Sequence, residues 1–277
     1  MAKQRLDVAL VERALAQSRE KAQALVMSGL VYLNGQKAVK PAVPVAEQDA
    51  LEVRGAPHPY VSRGALKLEK ALAVFGLDVT DAVAIDVGAS TGGFTDVLLR
   101  AGARHIYAVD VGYGQLDWRL RSDARVTVME RTNARYLTQD SFAERPGLSV
   151  MDVSFISILK ILPALFAILG EDGRCVSLIK PQFEAGRASV GKKGVVRDPA
   201  VHREVLLHIL SGIRALGWHA AALSFSPITG PEGNIEFLAC LVPGPPPEGA
   251  DEDVTERVDA LVAQAHATLR GAAAGQD

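Results

Sequence analysis

Apolar and polar positions change rhythm twice along this chain of 277 residues. At its start, Leu6, Val8, Ala9, Leu10 and Val11 predict a short helix. Ser18 is placed to cap a second helix over Arg19–Ser28. The apolar Ala22, Leu25 and Val26 of that helix recur at helical spacing, and Gly29 suits the position that ends it. Val31-Tyr32-Leu33 then runs into Asn34-Gly35, a strong hairpin signal, and strand-like material continues to Val53. A proline-containing stretch from Gly55 to Tyr60 closes this ααβ unit, so a first domain is expected over residues 1–58.

From Ala82 the pattern becomes one of apolar runs alternating with helices. Strands are predicted at Val83–Val87, Ile106–Val111, Val126–Met129, Leu148–Val153 and Gly173–Ile179. A glycine-rich turn and a helix through Leu99 follow the first strand, and a mostly apolar helix, Ile158–Leu169, precedes the fifth. A helix across Val201–Leu216 leads to Ala220–Phe225 and Ile235–Val242, which are close enough to form a hairpin. Repeated βα units predict an α/β protein: a Rossmann-like, doubly wound sheet over residues 59–245 with a terminal antiparallel strand. The small N-terminal domain is α+β by the same reading. Pro243–Pro247 then leads into an acidic, Ala-rich tail, residues 246–277.

Composition narrows the function classes. With 48% hydrophobic residues the chain can bury a real core, and no apolar run is long enough to cross a membrane. The N-terminus lacks the apolar run of a signal peptide. Cys175 and Cys240 make neither a disulfide framework nor a four-ligand zinc site, and the six histidines form no ligand cluster. These features predict a cytoplasmic protein without metal or membrane. The net charge of -2 conceals an asymmetry. Residues 1–40 carry Lys3, Arg5, Arg13, Arg19, Lys21, Lys37 and Lys40 against only Asp7, Glu12 and Glu20, which suits either a polyanionic partner or a solvated surface with no partner.

The first stretch that carries chemistry is Asp86-Val87-Gly88-Ala89-Ser90-Thr91-Gly92-Gly93-Phe94-Thr95, where the first strand of the sheet turns into its helix. Open α/β sheets bind ligands at such turns. Gly88, Gly92 and Gly93 let a ligand approach the backbone. The stretch is neither a strict G-x-G-x-x-G nor a phosphate loop, because no lysine follows. An adenosine-containing ligand with a carboxylate fits it better than a pyrophosphate. Asp110 closes the second strand, placed to accept ribose hydroxyls, and Asn133 follows the third, within reach of a base or serving as a turn cap.

These residues resemble S-adenosylmethionine-dependent methyltransferases of the FtsJ type. The whole chain resembles the hemolysin A (TlyA) family of ribosomal RNA 2′-O-methyltransferases. The core carries the likeness through Asp86–Phe94, Met151-Asp152-Val153-Ser154-Phe155, Leu178-Ile179-Lys180-Pro181-Gln182-Phe183-Glu184 and Gly233-Asn234-Ile235-Glu236. Arg5-Leu6-Asp7, Ser18-Arg19, Ala22, Gly29, Val31 and Asn34-Gly35 carry a separate likeness to the S4 RNA-binding module. The resemblance implies S-adenosylmethionine as cofactor, contacted by Asp86, Gly88, Ala89, Ser90, Thr91, Gly92, Gly93, Phe94, Asp110, Asn133 and Asp152. It also implies cytidines of ribosomal RNA, in either subunit, as the target.

The family's Lys-Asp-Lys-Glu tetrad maps by resemblance onto Lys67, Asp152, Lys180 and Glu236. Independently of the family, Asp152 and Lys180 each end an apolar run, where an unpaired charge is costly. They therefore either pair with each other or face a cleft. The resemblance gives Lys180 the role of activating a ribose hydroxyl, Asp152 and Glu236 that of flanking it, and Lys67 that of holding the ribose. For RNA, Arg5, Ser18, Arg19 and Lys21 cluster at the start of a helix, a favourable phosphate position, and Arg63 lies before the tetrad's first lysine. Lys192 and Lys193 lie in a basic, glycine-rich stretch, Gly186–Arg197, read as a phosphate-binding flap in preference to an ordinary surface loop. Two rivals remain: a membrane-active hemolysin, for which no inserting segment is found, and an RNA-binding assembly factor with an inactive core, against which the complete tetrad argues.

Overall fold

The computed structural model describes residues 3–27, 29–38, 40–53, 58–186, 189–191, 194–247 and 254–274. Its contacts divide it into two units that meet between Arg63 and Gly64, a few residues beyond the boundary read from the prolines.

In the first unit β1 (Gln4–Arg5), α1 (Leu6–Glu12) and α2 (Arg19–Met27) precede β2 (Val31–Leu33), β3 (Gln36–Lys37), β4 (Pro44–Val45) and β5 (Leu51–Val53). β1 pairs antiparallel with β4, and β2 lies between β3 and β5. Asn34 and Gly35 both take positive φ, 51° and 76°, as the tight β2–β3 turn requires. Leu6, Leu10, Ala22, Val26, Val31 and Val45 form the core beneath the two helices.

The second unit begins with α3 (Ala65–Phe75), then β6 (Val83–Val87), α4 (Gly93–Arg100), β7 (His105–Val109), α5 (Trp118–Arg121) and β8 (Val126–Met129). β9 (Leu148–Met151), α6 (Leu162–Leu169), β10 (Arg174–Ile179) and α7 (Pro181–Glu184) follow. α8 (Pro199–Ala215), β11 (Trp218–Phe225), β12 (Phe237–Pro243) and α9 (Val254–Ala274) complete it. The strands form a single seven-stranded sheet in the order β11-β12-β10-β9-β6-β7-β8. β12 runs antiparallel to both its neighbours; the other pairs are parallel. β6 is buried along its whole length, as expected of a strand covered on both faces. The chain order reverses between β6 and β9, the point where such sheets open a ligand crevice at their C-terminal ends.

Four elements differ from the sequence reading. The apolar segment Ile158–Leu169 is a 3₁₀ turn at Ile158–Lys160 followed by α6, because Pro163 has no N–H to continue one helical ladder. The second and fourth strands of the sheet stop at Val109 and Met151, which leaves Asp110 and Asp152 just past their ends. The C-terminal stretch read as an acidic tail is α9. Val258, Leu261, Val262 and Ala265 recur at helical spacing, and all four join the core. Arg203 on α8 pairs with Asp259 of α9 at 2.7 Å.

Candidate active site

The turn after β6 is organised from beneath by Asp86. Fully buried, its Oδ2 accepts hydrogen bonds from the backbone N–H (2.9 Å) and the hydroxyl (2.7 Å) of Thr95 in the first turn of α4. Burial pushes its carboxyl up to about 7, against the lowering effect of Thr95. Gly88, at φ +82°, allows the turn to pass β9: a Cβ there would lie 2.5 Å from the backbone oxygen of Asp152. Gly92 acts differently. Its Cβ would meet the side chains of Leu120 and Leu116, at 2.2 and 2.8 Å, so it serves α5 packing rather than ligand access.

Above this turn opens a cleft of about 510 Å³, a volume suited to a nucleoside-sized ligand. Of the residues predicted to hold a cofactor, Gly88, Ser90, Asp110, Asn133 and Asp152 line it. Asp86, Ala89, Thr91, Gly92, Gly93 and Phe94 do not; Asp86 lies in β6 and the others build the turn and the start of α4. Asp110 is held by the N–H groups of Ser90 (2.8 Å) and Gly112 (2.7 Å), one on each carboxylate oxygen. The lone pairs that remain can accept from further donors. Asn133 accepts from the N–H of Arg135 at 3.1 Å, so it is a cap as well as a wall of the cleft.

Asp152 belongs to the cleft and to a chain of charges at once. Lys180, past the end of β10, ion-pairs with its Oδ1. Lys67 on α3 lies 3.1 Å from its Oδ2 and 2.6 Å from Oε2 of Glu236, just before β12. The four residues mapped as a tetrad are thus one alternating line, Lys180–Asp152–Lys67–Glu236, and Glu236 flanks Lys67, not Lys180 as the sequence reading had it. The second neighbour of Lys180 is instead the hydroxyl of Ser154, at 3.1 Å. Glu236 is fully buried; its Oε1 accepts from Gln182 Nε2 at 3.2 Å and occupies the space a Cβ on Gly230 would fill. Burial opposes charge on Lys67, but Asp152 and Glu236 outweigh it and raise its pKa. Burial likewise opposes charge on Asp152, and Lys67 and Lys180 prevail, so its carboxyl lies below the usual range. The line alternates two lysines with two carboxylates, and it touches the cleft through Asp152.

The FtsJ-like methyltransferase family matches residues 60–242, the span that holds the cleft and all four charges, and the S4 domain family matches residues 4–51. The 16S/23S rRNA (cytidine-2′-O)-methyltransferase TlyA of Mycobacterium tuberculosis is 48% identical over 86% of this chain and 89% of its own. The chain belongs to the hemolysin A (TlyA) family of FtsJ-like methyltransferases. Hemolysin A of Brachyspira hyodysenteriae is 43% identical over 86% of this chain and 99% of its own. A solved structure, a candidate hemolysin of Streptococcus thermophilus, is 46% identical with a TM-score of 0.78 and covers 99% of either chain. At 15% identity, a candidate S-adenosylmethionine-dependent methyltransferase of Listeria monocytogenes shares the fold (TM-score 0.50), covering 66% of this chain and all of its own.

Sequence reasoning missed several residues of this hemolysin A family site. Thr132, Gln115, Ser154 and Phe155 line the cleft. Phe155 had a signal: a large apolar side chain in the loop that follows a strand. It is 90% exposed at φ +65°, its ring 5.0 Å from that of Phe183. Gln182 stands inside the Leu178–Glu184 motif but carried no assigned role. Cys175 is buried, its thiol pushed up to about 12 by desolvation, and is no nucleophile. Among the described residues there is no group of acidic, histidine or cysteine side chains fit for a metal ion, and no helix long and apolar enough to cross a membrane.

In the S4 domain, Ser18 accepts from the N–H of Lys21 at 3.3 Å, at the start of α2. Arg5 and Arg19 converge on Asp7, at 2.9 and 3.0 Å, while Lys21 hydrogen-bonds Gln17. Arg63, half-buried, closes this unit. Lys192 and Lys193 of the expected flap lie outside the described residues. At the flap's base Asn234 accepts from the N–H of Val196 at 3.1 Å and donates to the carbonyl of Gly194 at 2.9 Å.

Proposed function

We propose that this methyltransferase transfers a methyl group from S-adenosylmethionine to the 2′-hydroxyl of cytidines in ribosomal RNA. The observation that carries the reading is the position of Asp152, which lines the cleft and anchors Lys180 and Lys67 at once. Cofactor and acceptor ribose then meet at one residue. The cofactor, when bound, supplies a methyl group already activated on a sulfonium centre, so the protein's task is to align and deprotonate the acceptor.

A ribose hydroxyl is almost fully protonated at neutral pH. Lys180 is the group assigned to receive or steer its proton, held by Asp152 and Ser154, both of which line the cleft. Lys67 is fixed between two carboxylates, and its role is to hold Asp152 and the acceptor in place. Asp110, held by the backbone N–H groups of Ser90 and Gly112, offers its carboxylate to the nucleoside end of the cofactor, and Gly88 keeps that floor open. The basic face of the S4 domain, with Arg5, Arg19 and Lys21, captures the RNA. Names of relatives support the target class: the Mycobacterium tuberculosis relative carries 16S/23S rRNA cytidine 2′-O-methylation in its name.

Tritium transfer from labelled S-adenosylmethionine to purified ribosomal subunits, followed by mapping of the modified ribose, tests this reading. Label on the 2′-oxygen of cytidine is expected. Label on a base, or none on either subunit, would refute it.

A further inference from the structure

We infer that Asp7 is a positioning residue for RNA capture, its buried carboxylate holding Arg5 and Arg19 as one fixed pair that receives a backbone phosphate. The inference rests on the RNA-binding role proposed above for the S4 domain and names the residue that organises it.

Asp7 is fully buried on α1. Its carboxylate accepts from Arg5 Nε (3.0 Å) and Nη2 (2.9 Å), from Arg19 Nε (3.0 Å) and from Gln23 Nε2 (2.8 Å). A carboxylate withdrawn from water is costly unless its lone pairs are met by charge and hydrogen bonds, and here they are. The Arg5 contact foremost, opposed by burial and reinforced by Gln23 and Arg19, holds the carboxyl well below its usual range, so it stays ionised.

Stability is a weak reason for this arrangement, because apolar residues of similar volume commonly do as well as buried ion pairs. What it provides is geometry. The Arg5 and Arg19 side chains come from β1 and the first residue of α2, yet share one anchor and remain 47% and 53% exposed. Arg19 commits only Nε to Asp7, and among the described residues its Nη groups have no other partner. Guanidinium groups held this way present donors in the planar fork that matches a phosphate, and lose less side-chain entropy on binding it. Two arginines and one aspartate leave a single positive charge, the complement of one phosphodiester. Ser18 and the start of α2 lie beside it.

Charge and geometry predict opposite signs, which makes the test decisive. Asp7→Asn raises the positive charge of the S4 domain and, by charge alone, tightens RNA binding and steepens its salt dependence. If Asp7 positions the arginines, binding instead weakens roughly ten-fold. The measurement is the affinity of the full-length protein for labelled ribosomal RNA at several salt concentrations, with thermal melting as the folding control. Affinity equal to or tighter than wild type in a folded Asp7→Asn protein would overturn the inference. Should that variant fail to fold, Arg19→Lys decides, since it keeps the charge but loses the fork: weaker binding supports the inference and unchanged binding overturns it. The double variant Arg5→Ala, Arg19→Ala tests the underlying reading separately. If it binds RNA like wild type, the RNA-binding role of this face fails, and the role of Asp7 with it.

Discussion

Lys67 Nζ lies 2.6 Å from Glu236 Oε2, and both side chains are shielded from water. Breaking such a buried pair leaves a charge without compensation, whereas replacing both partners with apolar residues need not cost stability. Glu236→Ala is expected to cost about 3 kcal/mol, because Asp152 would then face two lysines alone. The double variant Lys67→Met, Glu236→Leu leaves the neutral pair Lys180–Asp152 and is expected to regain most of that stability while remaining inactive. Denaturant unfolding and tritium transfer on the same three proteins check this. A double variant no more stable than Glu236→Ala would show that the charges, not their balance, hold the site.

Lys180→Ala removes the group assigned to the acceptor's proton and leaves Lys67 as the lysine that balances both Asp152 and Glu236, so thermal melting accompanies the assay as a folding control. Methyl transfer is expected to fall by a factor of roughly 10² or more while cofactor affinity persists. Single-turnover transfer together with calorimetry separates the two effects. Turnover near wild type would remove Lys180 from the reaction.

The two glycines of the turn are expected to fail in different ways. Gly88→Ala forces a Cβ against the backbone of Asp152, which cannot yield without moving the charged line. It should weaken cofactor binding and transfer together by about ten-fold or more. Gly92→Ala meets only the ends of Leu116 and Leu120, at a φ of +95° that disfavours alanine. Its expected cost is about 1–2 kcal/mol of stability, with cofactor affinity close to wild type. Calorimetry and melting on both variants decide, and equal cofactor affinities would show that Gly88 does not shape the cleft.

Much of this was legible in the sequence, for identifiable reasons. Strands buried on both faces read as continuous apolar runs, so the sheet's strands were visible. Asp152 and Lys180 stood out because charge at the end of such a run demands a partner. The Lys67–Glu236 contact was not legible from pattern, because it joins α3 to the strand beside β10 and no local spacing encodes such a contact. Only the family motif located those two residues, and it assigned Glu236 to the wrong lysine. α9 was hidden because acidic residues drew the eye from the spacing of Val258, Leu261, Val262 and Ala265. Asp7 read as one acid among seven bases; only burial shows that it gathers two of them.

The last prediction concerns pH and Asp86. Its carboxyl is raised to about 7 in the folded protein, against an ordinary value of 3.8. The folded state therefore binds this proton more tightly than the unfolded state does. Stability from this group is fully present below pH 3.8 and is lost as pH rises towards 7, after which the buried charge is a net cost. Asp86→Asn keeps an acceptor for the two Thr95 donors and carries no charge at any pH. Its stability relative to wild type should thus improve with pH, by on the order of 1–3 kcal/mol between about pH 5 and pH 8. The amide also places an N–H where Oδ1 now lies buried without a hydrogen bond, so at pH 5 the variant is expected to be the less stable protein. Urea unfolding of both proteins across this range reads the difference directly. A stability difference that stays flat with pH would mean that Asp86 is ionised throughout, its charge met by the helix start that it holds.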